Sequence, residues 1–508
     1  MEDSGGRFGV NLTAYGAYRM PHESFEYGIT NDMNPGMCPA GSTCNRNIRT
    51  DGLGAWRADV GDAVADSYEL VFILSAGQDE SSTWQEFGEM RFGSREDVPD
   101  PFGPPVEPQP NYAKTRYVDW TSWASAATIW PNAGGGSSTQ AESSGLAVYA
   151  HELSHLLTIG DNYNNPYGTP LRRAYTGPWS MMSRGSFNGP GGPHTRWQIP
   201  AVHGGSMGSL HTLRDKAKIG LVGDENILRV DDLDGVVVAD LTARAVDPGE
   251  RLMGITIALG TDKSPACDVA TEVLCDGGGY DNYTVEVVDR MGSDSFTPDS
   301  GVLISKTKNQ DRQPFQWVID ANPQDIDLVD FTRPDGTPAK ITMGDYRQLS
   351  DALFHAGTRS GSEYEYVDEA NRLHFYVLSK HRNRAGELSY TVAVRSLDSA
   401  AGGGVRLGAG VVSSPGRPLG KGVTCTFPLT NTGTGTDVYR LSATMAGRGW
   451  RAELPNALAT AAAGGRTKVD VAVAAARGAA RTGTVTLTAT SESDPAKTVA
   501  RRCTVIRA

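Results

Sequence analysis

Two histidines and a glutamate, in the stretch His151-Glu152-Leu153-Ser154-His155, are the residues of this chain best suited to chemistry. On a helix, positions i and i+4 project from one face a turn apart, so both imidazoles can reach one zinc ion. Glu152 stands beside them, placed to hold a water polarised by the metal and to take its proton. The competing reading is a helix with two satisfied histidines. A catalytic zinc takes three protein ligands and keeps a fourth position for water. No Glu occurs between Glu152 and Glu225, so the carboxylate on offer is Asp161, directly behind Gly160, where a helix could end and the chain turn back. The alternative for Asp161 is a plain helix-terminal turn residue.

These residues need elements to position them. Thr139-x-x-Glu142 is a capping-box pattern after Gly134-Gly135-Gly136, and it predicts a helix running through about Ile159. Upstream, Trp56, Val60, Ala63 and Val64 predict an amphipathic helix over 55–66, and the apolar run from Tyr68 to Ala76 predicts a buried strand. That is α/β patterning. Six prolines between Val98 and Asn111 make a stiff exposed loop. From about residue 225 the texture changes to short β-rich segments such as Tyr283–Val288 and Leu373–Leu378. After Gly402-Gly403-Gly404 the pattern alternates strictly. Val469, Val471 and Val473 share one face, and Val485, Leu487 and Ala489 oppose Thr484, Thr486, Thr488 and Thr490. Such strands predict a β-sandwich of the immunoglobulin or fibronectin type. At ~150 residues per domain, 508 residues suit three domains, placed at 1–224, 225–400 and 401–508.

Composition excludes several functions. A net charge of −12 offers no basic face for nucleic acid or an anionic membrane. The longest apolar runs, such as Leu70–Leu74, fall far below the ~18 residues of a membrane span. With 39% hydrophobic and 21% charged residues the chain can bury cores, and 60 glycines with 28 prolines predict many turns. The six cysteines pair most simply with their neighbours: Cys38 with Cys44, Cys267 with Cys275, and Cys425 with Cys503 across the C-terminal module. No CxxC spacing supports a zinc cluster instead. An even count suits a secreted, oxidising setting. The first residues carry neither a basic region nor an apolar one, so any export signal is expected to be absent from this chain.

The segment His151 to Asp161, followed by Gly177-Pro178-Trp179-Ser180-Met181-Met182-Ser183-Arg184, resembles the metzincin clan and looks most like the immune inhibitor A family of secreted bacterial metallopeptidases. The resemblance covers about residues 1–225. It implies a multidomain α+β chain with an N-terminal metzincin-like zinc peptidase domain ahead of the β-rich domain and the sandwich. Carried over, the zinc ligands are His151, His155 and Asp161, the general base is Glu152, and Met182 is the methionine of the Met-turn beneath the metal, with Met181 as its neighbour. The family pattern HExxHxxGxxD has Gly where this chain has Thr158. A β-branched residue suits a positive φ poorly, so the helix is expected to run on and Gly160 to take the turn. No Tyr follows two residues after Met182, where Arg184 stands. Arg184, His194 and Tyr175 are therefore the candidates for stabilising the transition state.

The expected activity is hydrolysis of protein or peptide substrates by a secreted zinc endopeptidase, with substrate paired along the Tyr117–Ile129 stretch, whose Trp120 and Trp123 read equally as core. The rival is a secreted binding or adhesion protein with a silent zinc site, its C-terminal β modules holding a protein or glycan surface. The Asp-rich segment Cys275–Asp281 offers calcium ligands, against the plainer reading of a solvated turn; it fits no EF-hand loop.

Overall fold

The computed structural model describes residues 2–22, 24–27, 46–74, 146–164, 172–188, 207–231, 233–272, 274–325, 329–332, 338–340, 346–399, 402–413 and 422–506. They form two compact units. The first holds residues 1–215 with 290–298 and 324–350, and the second holds 216–289, 299–323 and 351–508.

In the first unit the longest described helix is Ile48–Val60. It begins earlier than the apolar pattern suggests because Asn47 caps it, its side chain accepting from the Arg49 and Thr50 amides. It stops at Gly61, whose φ of 81° breaks the run, and Asp62–Ala65 follows as a separate turn of helix. Trp56 is buried between Tyr15 and Tyr68, each ring 5.9 Å away. Leu70–Leu74 is exposed and carries no strand, which corrects the expected buried strand. The second helix of consequence is Leu146–Leu156, and it carries the two histidines. Beyond it the chain runs in short 3-10 turns, Gly177–Trp179 and Arg184–Phe187.

The expected fold class is corrected on this evidence. Among the described residues no strand precedes Ile227, the helices are few and short, and no N-terminal helical metzincin domain is evident. The physical reason lies in the composition: Gly, Pro and Ser around 177–188 favour turns over extended or helical runs. The molecule is a β-rich, multidomain fold.

The second unit is built of strands. One sheet orders Ile227–Val230, Gly254–Ala258, Asn282–Val288, Gly301–Thr307 and Gln316–Val318, with the first pair parallel and the rest antiparallel. A second, antiparallel sheet orders Val236–Thr242, Leu388–Ser396, Leu373–Arg382 and Glu365–Asp368. Aromatic side chains join the two: the Tyr283 ring lies 4.8 Å from Phe375, and its hydroxyl donates to Asp368 at 2.6 Å.

The C-terminal part has two more antiparallel sheets around one core. Val405–Leu407, Val423–Asn431, Arg466–Ala475 and Trp450–Glu453, with Val411–Ser413 also paired to Val423–Asn431, form the first, and Leu458–Ala461, Asp437–Ala446, Thr482–Ser491 and Thr498–Ile506 form the second. The alternation read from the sequence sets which side chains face inward: Val469, Val471, Val473, Val485, Leu487 and Ala489 are all buried. The Cys425–Cys503 disulfide links one sheet to the other, and Cys267–Cys275 closes a loop in the preceding part. Cys38 and Cys44 lie outside the described residues.

Candidate metal centre

The helix Leu146–Leu156 ends where the site begins. Its last turn closes with the Thr158 amide donating to the His155 carbonyl (2.9 Å) and the Ile159 amide to the Ser154 carbonyl (3.1 Å), the paired bonds of a Schellman motif. Thr158 itself takes the left-handed conformation, with φ of 77°. This corrects the expectation that the helix runs on and Gly160 makes the turn. The reversal is forced at residue 158, and a Thr occupies it at the steric cost that Gly would avoid.

That turn brings Asp161 back over the helix face. His151 Nε2 lies 3.0 Å and His155 Nε2 3.3 Å from the same oxygen, Asp161 Oδ1. The two rings stand perpendicular with centroids 4.7 Å apart. One ligand atom from each of the three residues falls within 4.8 Å of the others, the one such group of His, Cys, Asp or Glu among the described residues. The far nitrogens are tied down: His151 Nδ1 donates to the Met181 carbonyl and His155 Nδ1 to the Ile159 carbonyl, both at 2.8 Å. A carbonyl can only accept, so each Nδ1 carries its hydrogen and each Nε2 lone pair points at the common centre.

Electrostatics complete the case for a cation. The Asp161 hydrogen bond raises the His155 pKa from 6.5 to about 9 against the opposing effect of burial. Burial pushes the Asp161 carboxyl up, but His151 and His155 beside it outweigh that and hold it well below the usual carboxylate range. Two imidazole lone pairs facing one carboxylate oxygen need a positive charge among them. A proton supplies it in the free chain, and a divalent ion would supply it better, since the donor set of two imidazoles and one carboxylate matches a catalytic zinc site.

Comparisons with known proteins bear on the same question. A family profile described as a middle domain matches residues 218–397, and one described as a peptidase M6-like domain matches 406–507. A protein of Arthroderma benhamiae named "Putative secreted metallopeptidase" is 60% identical over 543 residues, spanning 99% of this chain and 78% of its own length. The chain belongs to the family of this metallopeptidase. As that relative is fungal, the expected bacterial source gains no support. Among solved structures, a FixG-related protein from Vibrio parahaemolyticus is 12% identical, covering 21% of this chain and 96% of that one at a TM-score of 0.16, too low to carry an argument.

Within this metallopeptidase family member the other sequence candidates fall in distinct places. Glu152 is exposed, next to His151 on the helix. Met182 is fully buried, and its carbonyl accepts from the Asn162 amide at 2.8 Å, so the Ser180–Ser183 turn holds both the His151 ring, through Met181, and the segment after Asp161. Arg184 reaches the site indirectly: its guanidinium lies 4.9 Å over the Tyr163 ring and donates to the Asn164 carbonyl at 3.1 Å. Tyr175 is buried beside Arg172, its phenol pKa raised by burial. His194, Trp120 and Trp123 lie outside the described residues. On the Asp-rich segment, Asp276 Oδ2 binds the Lys306 ammonium at 2.7 Å, which neutralises the carboxylate a calcium ion would use. No described helix is long and apolar enough to cross a membrane.

Sequence reasoning missed Tyr163, whose exposed ring stands 6.5 Å from that of His151, and it missed Ser154, His211 and Asp3. The close spacing of Tyr163 to Asp161 was a usable signal. The link from Ser154 to His211 and Asp3 leaves none, because it joins residues far apart in the chain.

Proposed function

We propose that this chain is a secreted, zinc-dependent endopeptidase that hydrolyses peptide bonds in protein substrates. His151, His155 and Asp161 hold the metal and Glu152 is the general base. The observation that carries this is the convergence of two Nε2 atoms on Asp161 Oδ1 with both Nδ1 atoms fixed by carbonyls, in a member of a metallopeptidase family. The likeness to the immune inhibitor A pattern rests on these residues and not on the fold.

A zinc ion held there would acidify a bound water and polarise the scissile carbonyl. Glu152, exposed at the open side of the helix, takes the water's proton and returns it to the leaving amine. The Met181 and Ile159 carbonyls keep the imidazoles from rotating as charge develops. Met182 provides an apolar floor that keeps the local dielectric low. Arg184 orients Tyr163 and the segment carrying it at the rim, whereas buried Tyr175 would have to move to meet a substrate.

The site lies in a first domain that we place at 1–224, followed by β-rich parts divided near residue 400 that serve as contact surfaces for protein or glycan. Secretion is supported by the name of the fungal relative and by the two disulfides described. The test is Glu152→Gln. It should bind zinc as the parent does while losing about 10²-fold or more of casein turnover. Near-normal turnover would sink the mechanism, and zinc binding without hydrolysis in the parent would favour a silent binding site.

A further inference from the structure

Beside the metal face, on the flank of the same helix, stands a second polar group. Ser154 Oγ donates to the Ala150 carbonyl at 2.6 Å and lies 2.8 Å from His211 Nε2, and His211 Nδ1 makes a short contact with Asp3 Oδ2. Ser154 and His211 are 1% and 5% exposed. A hydroxyl has one hydrogen to give, and Ser154 gives it to Ala150, so it must accept from His211 Nε2, which therefore carries a proton. The other ring nitrogen, Nδ1, faces the Asp3 carboxyl. Ser, His and Asp thus stand in the order of a nucleophilic triad, but a buried serine whose proton is already committed to the helix backbone cannot attack a substrate.

The segment that carries His211 is bound to the metal site on several sides. The Met181 amide donates to the Leu210 carbonyl at 3.3 Å and the Ser209 amide to the Gly185 carbonyl at 2.9 Å. Met207 and Gly208 amides both donate to the Asn188 carbonyl at 2.9 Å. The Leu210 amide donates to Asp294 Oδ1 at 2.9 Å. Gly208 passes so close to the helix that a Cβ there would lie 2.6 Å from the Ala147 Cβ, and its φ of 81° also requires glycine. The helix with its ligands, the Met181–Ser183 turn and the His211 segment are therefore one hydrogen-bonded assembly, closed from the N-terminal side by Asp3.

We propose that Asp3, His211 and Ser154 are positioning residues of the metal centre: the relay sets the rotation of the helix about its axis and so the aim of His151 and His155 at Asp161. Ser154 sits between the two histidines in sequence and about 60° around the helix from His151, on the flank of the metal face, so its bond to His211 fixes how far both imidazoles point into the site. This inference rests on the zinc reading above, and its test separates the two.

In the full chain, Asp3→Ala and Ser154→Ala should each weaken zinc affinity about tenfold, measured by competition with a chromophoric chelator. The double variant should lose no more than the worse single one, because both act through His211. Asp3→Asn should recover most of the loss, and kcat should fall with KM unchanged. Zinc affinity within twofold of the parent in both single variants, or fully additive losses, would overturn the proposal. If a variant fails to fold, the parent chain with ¹⁵N-labelled histidine supplies the signature, a slowly exchanging downfield proton on His211; a rapidly exchanging ring would refute the relay. If the parent binds no zinc, the metal reading fails, but faster amide exchange over residues 151–158 in Asp3→Ala still registers the relay, and unchanged exchange there contradicts it.

Discussion

In the proposed metal site, His155 would tie protonation to metal binding. Its hydrogen bond to Asp161 holds its pKa at about 9 in the metal-free chain, so at pH 7 the imidazole is charged and the Asp161 carboxylate ionised. Zinc needs the neutral ring. Binding at pH 7 should therefore release about one proton, seen by titration calorimetry in two buffers of different ionisation heat, and the release should fade as the pH passes 9. Uptake of zinc with no proton released would contradict the geometry. The same shift carries a sign for stability. A raised histidine stabilises the metal-free fold fully below its ordinary pKa, and that contribution is lost as pH rises through about 9. The depressed Asp161 contributes above the ordinary carboxylate range, and its share is lost as the pH falls below it.

The element that matters most is the end of the histidine helix. Thr158 holds a left-handed φ of 77° inside a Schellman motif, where a non-glycine residue costs about 1–2 kcal/mol. Thr158→Gly should stabilise the site-bearing unit by about 1 kcal/mol, read as a higher urea midpoint for its unfolding. A lower midpoint would mean that the Thr side chain contributes contacts worth more than the strain. The two histidines are visible in the sequence because the i, i+4 spacing of HExxH is local, and Asp161 because no Glu lies between Glu152 and Glu225 and it follows Gly160. The turn at Thr158 was not, since propensity argued against the conformation that closure of the motif imposes. The C-terminal strands were legible for the same local reason, a period of two over Val469–Val473 and Val485–Ala489. Leu70–Leu74 shows the opposite case: an apolar run has strand propensity, but among the described residues no partner strand lies there to make it one. Asn47 was a cap signal left unread, and it moved the start of the first helix to Ile48.

At the scale of the molecule, the second unit joins its two β parts through a compact ionic contact. Arg440 donates to both Glu365 oxygens at 2.9 and 2.6 Å and to Glu492 at 2.7 Å, and Tyr376 donates to Glu492 at 2.9 Å. Glu365 also meets His374 Nε2 at 3.0 Å, and its carboxyl is held down to about 2 by His374 and Arg440 in spite of burial. The Asn456 side-chain amide donates to the Leu378 carbonyl, and Leu378 packs with Val438 and Leu458 at this junction. The contacts across the two modules were not readable from sequence, since Arg440 and Glu365 stand 75 positions apart and Tyr376 and Glu492 stand 116 apart. Kinship over 99% of the chain with a protein named "Putative secreted metallopeptidase" makes the candidate metal centre the point on which the proposed function turns. The most direct measurement is the zinc content of the purified full chain together with its hydrolysis of casein before and after a chelator. About one zinc per chain, with hydrolysis lost on chelation and regained on adding zinc, is the result expected from three converging ligands. Hydrolysis unaffected by removal of the metal would contradict the account.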